Sequence, residues 1–297
     1  DPARVSAETN TLARLDLSEG ELVFLHSDTD EGRRCAGLLA RYYSNRGCKS
    51  RERALKGLDY RPKCFVNEGL RSLVAVLAEE IREARKLGRQ PKINATGGFK
   101  AETAYATLVG ALFQVPVFYI HEKFDGLVEV PALPVAWDFG LIAEHVDLLE
   151  WLFTAPRTEP DVDGWMRGRP IALRALIAAE QAGYGLSPVG LAVYERFLDR
   201  IEEEKAQGTP IELSEAARDA LARADSNDRR SFERILEALR LPEVRRGNVE
   251  TVDRDKGDVV VYPRTRTNHR VFVELSGESV RVLELVGERP SGVVAFH

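Results

Sequence analysis

Hydrophobic and polar positions follow three different patterns along this chain, and each predicts different elements. The run ELVFLH (residues 21–26) is almost wholly apolar, as a strand covered on both faces requires. It leads into SDTDEGRRCAGLLARYYSNRG, a turn and then a helix closing at Gly47. Residues 69–87 place Leu70, Leu73, Val74, Leu77 and Ile81 three and four apart, the stripe of an amphipathic helix. Residues 92–95 read as a strand, 100–114 as a helix and 115–120 as a strand. Strand–helix–strand within about 30 residues is a βαβ unit. A parallel sheet covered on both faces is therefore expected.

After Ile120 the pattern changes. The segment VEVPALPVAWDFG carries two prolines and marks a boundary near residues 131–137. Residues 140–205 read as mainly helical, broken by APRTEPDVDGW and by GYGLSP, with Ser187 and Pro188 starting a helix. His145 lies on the apolar face of LIAEHVDLLEWLF, where a core or dimer contact is expected rather than a ligand role. The charged end of RFLDRIEEEKAQGTP sets a second boundary near residues 208–210. Beyond it come two helices (214–224 and 228–239) and several short strands. A hairpin at Ser276-Gly277 joins strands 270–275 and 279–285. Three regions are thus expected: an α/β domain over residues 1–138, a helical coupling region over 139–210, and a small α+β domain over 211–297.

Composition narrows the function classes. The 297 residues suit two domains better than one. A net charge of −5 argues against coating nucleic acid by bulk charge, though not against a local basic site. Cys35, Cys48 and Cys64 form no CxxC pair and no metal-ligand spacing with the five histidines, so no metal site is expected. An odd, sparse cysteine count suggests a reducing cytoplasm. No run approaches the roughly 18 apolar residues that span a bilayer, so no membrane association is expected. No signal peptide is visible, and the start at Asp1 suggests that residues precede it.

Two turns follow strands where ligands of parallel sheets bind, outside the carboxyl ends. Ser27, Asp28 and Thr29 offer hydroxyls and a carboxylate. In INATGGFKAETAY, Thr96, Gly97 and Gly98 let backbone N–H groups approach an anion at a helix start, and Lys100 adds a cation. The turn is neither GxGxxG nor a Walker A loop, so it suits a phosphate or nucleotide rather than a dinucleotide or a magnesium triphosphate. The same residues would serve a purely structural turn, with Asn94, Thr96, Ser27 and Thr29 as caps.

Taken together, SDTDEGRRCAGLLARYY, the Leu-rich helix and INATGGFKAETAYATLVGALFQVPVFYIHEKF resemble the CARF domains of CRISPR-associated proteins, over about residues 21–134. The resemblance implies a Rossmann-like sensor that dimerises and binds a cyclic oligoadenylate across the two-fold axis. Ring size four is expected, with cyclic tetra-adenylate an allosteric activator and no cofactor besides. Ser27, Asp28 and Thr29 would line one edge of the pocket. Asn94, Thr96, Gly97, Gly98 and Lys100 would hold phosphates and ribose at the other. The family's opening strand, with its Gly-Thr-Ser turn, is not visible before DPARVSAETNTLARLDL. Some CARF domains also cut their ligand, and here Lys100 lacks an evident partner base.

The tail supplies a candidate output. Between Val259 and Val273 its charged residues are Arg264, Arg266 and Arg270, with His269 among them and no carboxylate, a local basic surface suited to phosphate. A solvated strand edge would carry the same residues. Arg264-x4-His269 fits the HEPN ribonuclease signature in spacing, but it sits between β-type runs rather than on a helix. The order of elements from about residue 213 onward resembles RelE-type messenger-RNA interferases. That resemblance implies metal-free cleavage, in which a ribose 2′-hydroxyl attacks the adjacent phosphate of messenger in the ribosomal A site. Arg270 and Arg289 fall where that family places phosphate-stabilising arginines, and Arg264 and Arg266 where it carries a basic pair. No Tyr follows Arg289 at the family's distance, and Phe296 cannot transfer protons. That role would fall to His269 or His297.

The combined expectation is a cytoplasmic homodimer of type III CRISPR defence. In it a cyclic oligoadenylate activates an endoribonuclease on messenger RNA and ribosomes. Two alternatives stand beside it. One is a CARF transcription regulator, which FLDRIEEEKAQ opposes by being acidic where a recognition helix is basic. The other is a ring nuclease that degrades cyclic tetra-adenylate.

Overall fold

The computed structural model describes residues 6–15, 20–59, 61, 64–121, 126–132, 137–180, 182–253, 259–263, 269–277 and 279–287. The chain divides into two compact units, Asp1–Ala136 with Leu148–Arg196, and Trp137–Asp147 with Phe197–His297. The stretch 139–210 is thus shared between them.

The first unit opens with α1 (Ala7–Leu12), which Ser6 caps by accepting the Thr9 N–H at 3.2 Å. β1 (Glu21–Ser27), α2 (Asp30–Ser44) and β2 (Lys49–Leu55) follow, and β1 and β2 pair in parallel from Glu21↔Lys49 to Ser27↔Leu55. A single π-turn (Phe65–Gly69) leads into α3 (Leu70–Lys86). The stripe read from sequence is the buried face of α3: Leu70, Leu73, Val74, Leu77 and Ile81 are all buried. β3 (Ile93–Asn94), α4 (Lys100–Phe113), β4 (Val117–His121) and β5 (Gly126–Val130) complete the α/β part. The core lies where α3 and α4 pack, around Val74, Ala78, Val109, Phe113 and Val117. Burial of each such side chain contributes about 1.5–3 kcal/mol.

Among the described residues, β1 to β5 form two small sheets rather than one continuous parallel sheet. β3 pairs β4 in parallel, but β5 adds antiparallel to β4. The fold class is mixed α/β, with the β3–β4 pair parallel where the βαβ pattern predicted it. β2 was not foreseen because KSRERAL is mostly charged. Its arginines are held by carboxylates elsewhere: Arg51 donates to Glu21 at 2.8 Å and to Glu80 at 3.0 Å, and Arg53 donates to Glu80 at 2.7 Å.

Next come α5 (Phe139–Glu144), α6 (Val146–Thr154) and α7 (Glu159–Met166), with Thr158 capping α7. α7 occupies the stretch read as a helix break. The other break, GYGLSP, forms β7 (Gly183–Leu186), paired antiparallel with β6 (Ile177–Glu180). α8 (Pro188–Gln207) begins as predicted, the Ser187 hydroxyl accepting the Gly190 N–H at 3.0 Å. His145 is buried, 6% exposed, in keeping with a core position. Among the described residues no helix is long and apolar enough to cross a membrane.

The second unit carries β8 (Ile211–Leu213), α9 (Glu215–Arg223), α10 (Ser226–Ala238), α11 (Pro242–Gly247), β9 (Glu250–Asp253), β10 (Val259–Tyr262), β11 (His269–Ser276) and β12 (Ser279–Gly287). Its five-stranded sheet runs β8-β12-β11-β10-β9, with only the β12–β8 pair parallel. The predicted hairpin is β11–β12, turning at Gly277, which has φ of 59°.

Candidate functional site

Each of the two predicted turns is organised by its own hydrogen bonds. After β1, Thr29 caps α2 by accepting the Gly32 N–H at 3.0 Å, and its hydroxyl lies 3.0 Å from that of Ser27. Asp28 faces Arg33 at 3.9 Å, an exposed and weak pair. Ser27 and Thr29 thus start a helix, the structural role weighed for them from sequence.

After β3, the Asn94 carboxamide oxygen accepts from the Thr96 N–H at 3.2 Å and from the Thr96 hydroxyl at 2.8 Å. That hydroxyl also accepts the Ile120 N–H of β4 at 3.1 Å, which ties the turn to the sheet. Gly98 has φ of 97°, a conformation open to glycine and strained for other residues. Lys100 opens α4, exposed and with no ion-pair partner among the described residues. Asn94, Thr96, Gly97, Gly98 and Lys100 are therefore brought into one turn. Among the described residues no hydrogen bond or ion pair joins them to Ser27, Asp28 or Thr29.

Two carboxylates that sequence reasoning missed lie against the glycines. A β-carbon on Gly97 would overlap the Glu8 carboxylate, and one on Gly98 would overlap that of Glu102. Glu102 accepts the Phe99 N–H at 3.0 Å, the reach-back bond of a capping box. Burial pushes the Glu102 carboxyl above its ordinary value, against that hydrogen bond, which favours the charged form. Phe99 is not a capping residue type, so the sequence offered no capping-box signature for this bond. Nothing local pointed to Glu8, which belongs to a helix far back in the chain. Beside the turn, Phe99 is 54% exposed and meets Phe65 edge-on at 5.9 Å.

In the second unit His269 and Arg270 are consecutive on β11, so their side chains leave opposite faces. His269 Nε2 lies 2.8 Å from an Asp228 oxygen, and Phe232 of the same helix α10 meets the ring edge-on at 5.1 Å. Arg270 donates to Glu250 of β9 at 3.4 Å, and its buried Nε has no partner among the described residues. The two predicted groups are thus held by different elements, and Asp228 is a partner that sequence did not single out. Arg264, Arg266, Arg289 and His297 lie outside the described residues. His269 sits on a strand, which leaves the HEPN spacing without its helix.

Comparison with known proteins adds one positive finding. No curated protein matches the chain. Similar solved structures include protein VC1899 from Vibrio cholerae, at 10% identity and TM-score 0.32, over 97% of this chain and 75% of that one. Another is Can2 from Sulfobacillus thermosulfidooxidans in complex with cyclic tetra-adenylate, at 10% identity and TM-score 0.24, over 92% and 75%. Superpositions this loose carry no argument about fold or ligand. The family model described as CRISPR-associated protein (Cas_APE2256) matches residues 3–133, a stretch that contains both turns and most of the α/β part. That match supports a CRISPR-associated protein, with the likeness carried by its N-terminal segment.

Proposed function

We propose that the first unit senses a cyclic oligoadenylate at the Asn94–Lys100 turn and thereby activates RNA cleavage by the second. One observation carries the sensor half: a glycine pair and an exposed Lys100, with no ion-pair partner among the described residues, start a helix inside the segment that matches a CRISPR-associated family. Backbone N–H groups and a mobile ammonium suit phosphodiester oxygens, and cyclic tetra-adenylate is the ligand to try first.

The cleavage half rests on the chemistry of β11 and on the RelE-like order of elements. Arg270 can stabilise charge growing on phosphate, while His269, on the opposite face of β11 and held by Asp228, leaves the proton-transfer role to His297. On this reading the protein acts as a cytoplasmic homodimer, without a metal, on messenger RNA in the ribosomal A site. Activation requires the ligand to bind the active arrangement more tightly than the idle one.

The test mixes the protein with translating ribosomes, with and without cyclic tetra-adenylate, and maps messenger 5′ ends. Cuts within the A-site codon that depend on the ligand are expected. Lys100→Ala should abolish activation while leaving the fold intact. Arg270→Ala should abolish cleavage while leaving ligand binding unchanged. Cleavage by Arg270→Ala at the wild-type rate would end the interferase assignment, and unchanged activation of Lys100→Ala would remove that lysine from the site.

A further inference from the structure

A carboxylate of the protein itself lies against the glycine turn. α1 lies against β4 with Thr9, Thr11 and Leu12 buried, and it is fastened to the turn at three points. The Thr11 hydroxyl hydrogen-bonds that of Thr96. The Asn94 carboxamide donates to the Glu8 carbonyl at 3.5 Å. The Glu8 carboxylate fills the space beside Gly97 that a side chain would otherwise take. Three residues assigned above to ligand binding, Asn94, Thr96 and Gly97, are thus the residues that α1 touches.

We infer that Glu8 is an intramolecular competitor for the anionic ligand, and that ligand binding expels it together with α1. This rests on the sensor reading and deepens it by naming a residue that sets the affinity of that site. Two like charges cannot share one glycine cradle, so a phosphate oxygen can approach Gly97 only after the Glu8 carboxylate leaves. While Glu8 is seated, the site is closed, and apparent affinity falls in proportion to the open fraction. A site open about one-tenth of the time binds about tenfold more weakly than one always open. α1 has six residues and so little helical stability of its own, and the ligand must displace only its three attachments to the turn and the packing of Leu12 with Phe24, Ala36 and Tyr43.

The experiment titrates cyclic tetra-adenylate calorimetrically into the full chain, as wild type, Glu8→Gln and Glu8→Ala, with Lys100→Ala as the reference for a damaged site. Removing the charge is expected to tighten binding about tenfold. Amide hydrogen exchange on the wild type gives a second readout that needs no variant: the α1 amides should lose protection when ligand binds. If Glu8 merely supports the fold, the variants lose α1 protection without any gain in affinity. That result overturns the inference and leaves the sensor reading intact. Full α1 protection in the ligand-bound wild type overturns it as well. If neither wild type nor the Glu8 variants bind, the sensor reading falls and the inference with it. Binding by the variants alone would support both.

Discussion

At the scale of single residues, the conformation of Gly98 is the sharpest constraint on the candidate site. Alanine there would carry strain of about 1–3 kcal/mol from its positive φ. Its methyl group would also push Glu102 off the Phe99 N–H. Gly98→Ala is therefore expected to lower unfolding stability in urea by that amount and to weaken ligand binding. A variant as stable as wild type would mean that the turn relaxes. What was legible here was the turn itself, because glycine pairs and Asn-x-Thr spacing leave few readings. What was not legible was which groups the turn faces. Glu8, Thr11 and Asp228 reach their partners across the fold, and single-sequence patterns carry no such information.

At the scale of elements, the apolar runs announced themselves and the charged ones did not. β1, β4 and α3 follow from periodicity, because burial selects their residue types directly. β2 is different: Arg51 and Arg53 are tolerable in a strand only because Glu80 of α3 and Glu21 of β1 accept their hydrogen bonds. Glu80 shows what this network does. Burial raises its carboxyl, and the bonds from Arg51 and Arg53 outweigh that and hold it below its ordinary 4.5. A depressed carboxyl adds stability above the unfolded value and loses it as pH falls through the folded value. Glu80→Gln should therefore cost about 1–2 kcal/mol near neutral pH, between exposed and buried pairs. The cost should shrink as pH drops below about 4.5. Equal cost at pH 7 and pH 3 in denaturant titrations would show that packing rather than charge carries the effect.

For the whole molecule, the net charge of −5 decides how RNA could be engaged. Binding that depends on neutralising many phosphates shows a steep loss with salt, and this chain has no excess of cations to supply it. Affinity for free RNA is expected to be weak, and the slope of log K against log salt to correspond to about one to three phosphates. A steep slope on naked RNA would contradict this and would remove the reason to involve ribosomes. The tail's basic stretch was readable from composition, yet four of the six groups proposed for the tail fall outside the described residues. The two that are described, His269 and Arg270, leave opposite faces of one strand.

The sheet of the second unit has a consequence for how this protein behaves in a crowded solution. Among the described residues its outermost strands are β8 and β9, of three and four residues, and the β9–β10 register shifts at Val259/Val260. An incoming strand would find few consecutive backbone donors and acceptors, and at one edge it would meet Glu250 already joined to Arg270. Such borders resist templating by another chain, so copies of this protein would meet through side chains and helices rather than by lengthening that sheet into a fibre.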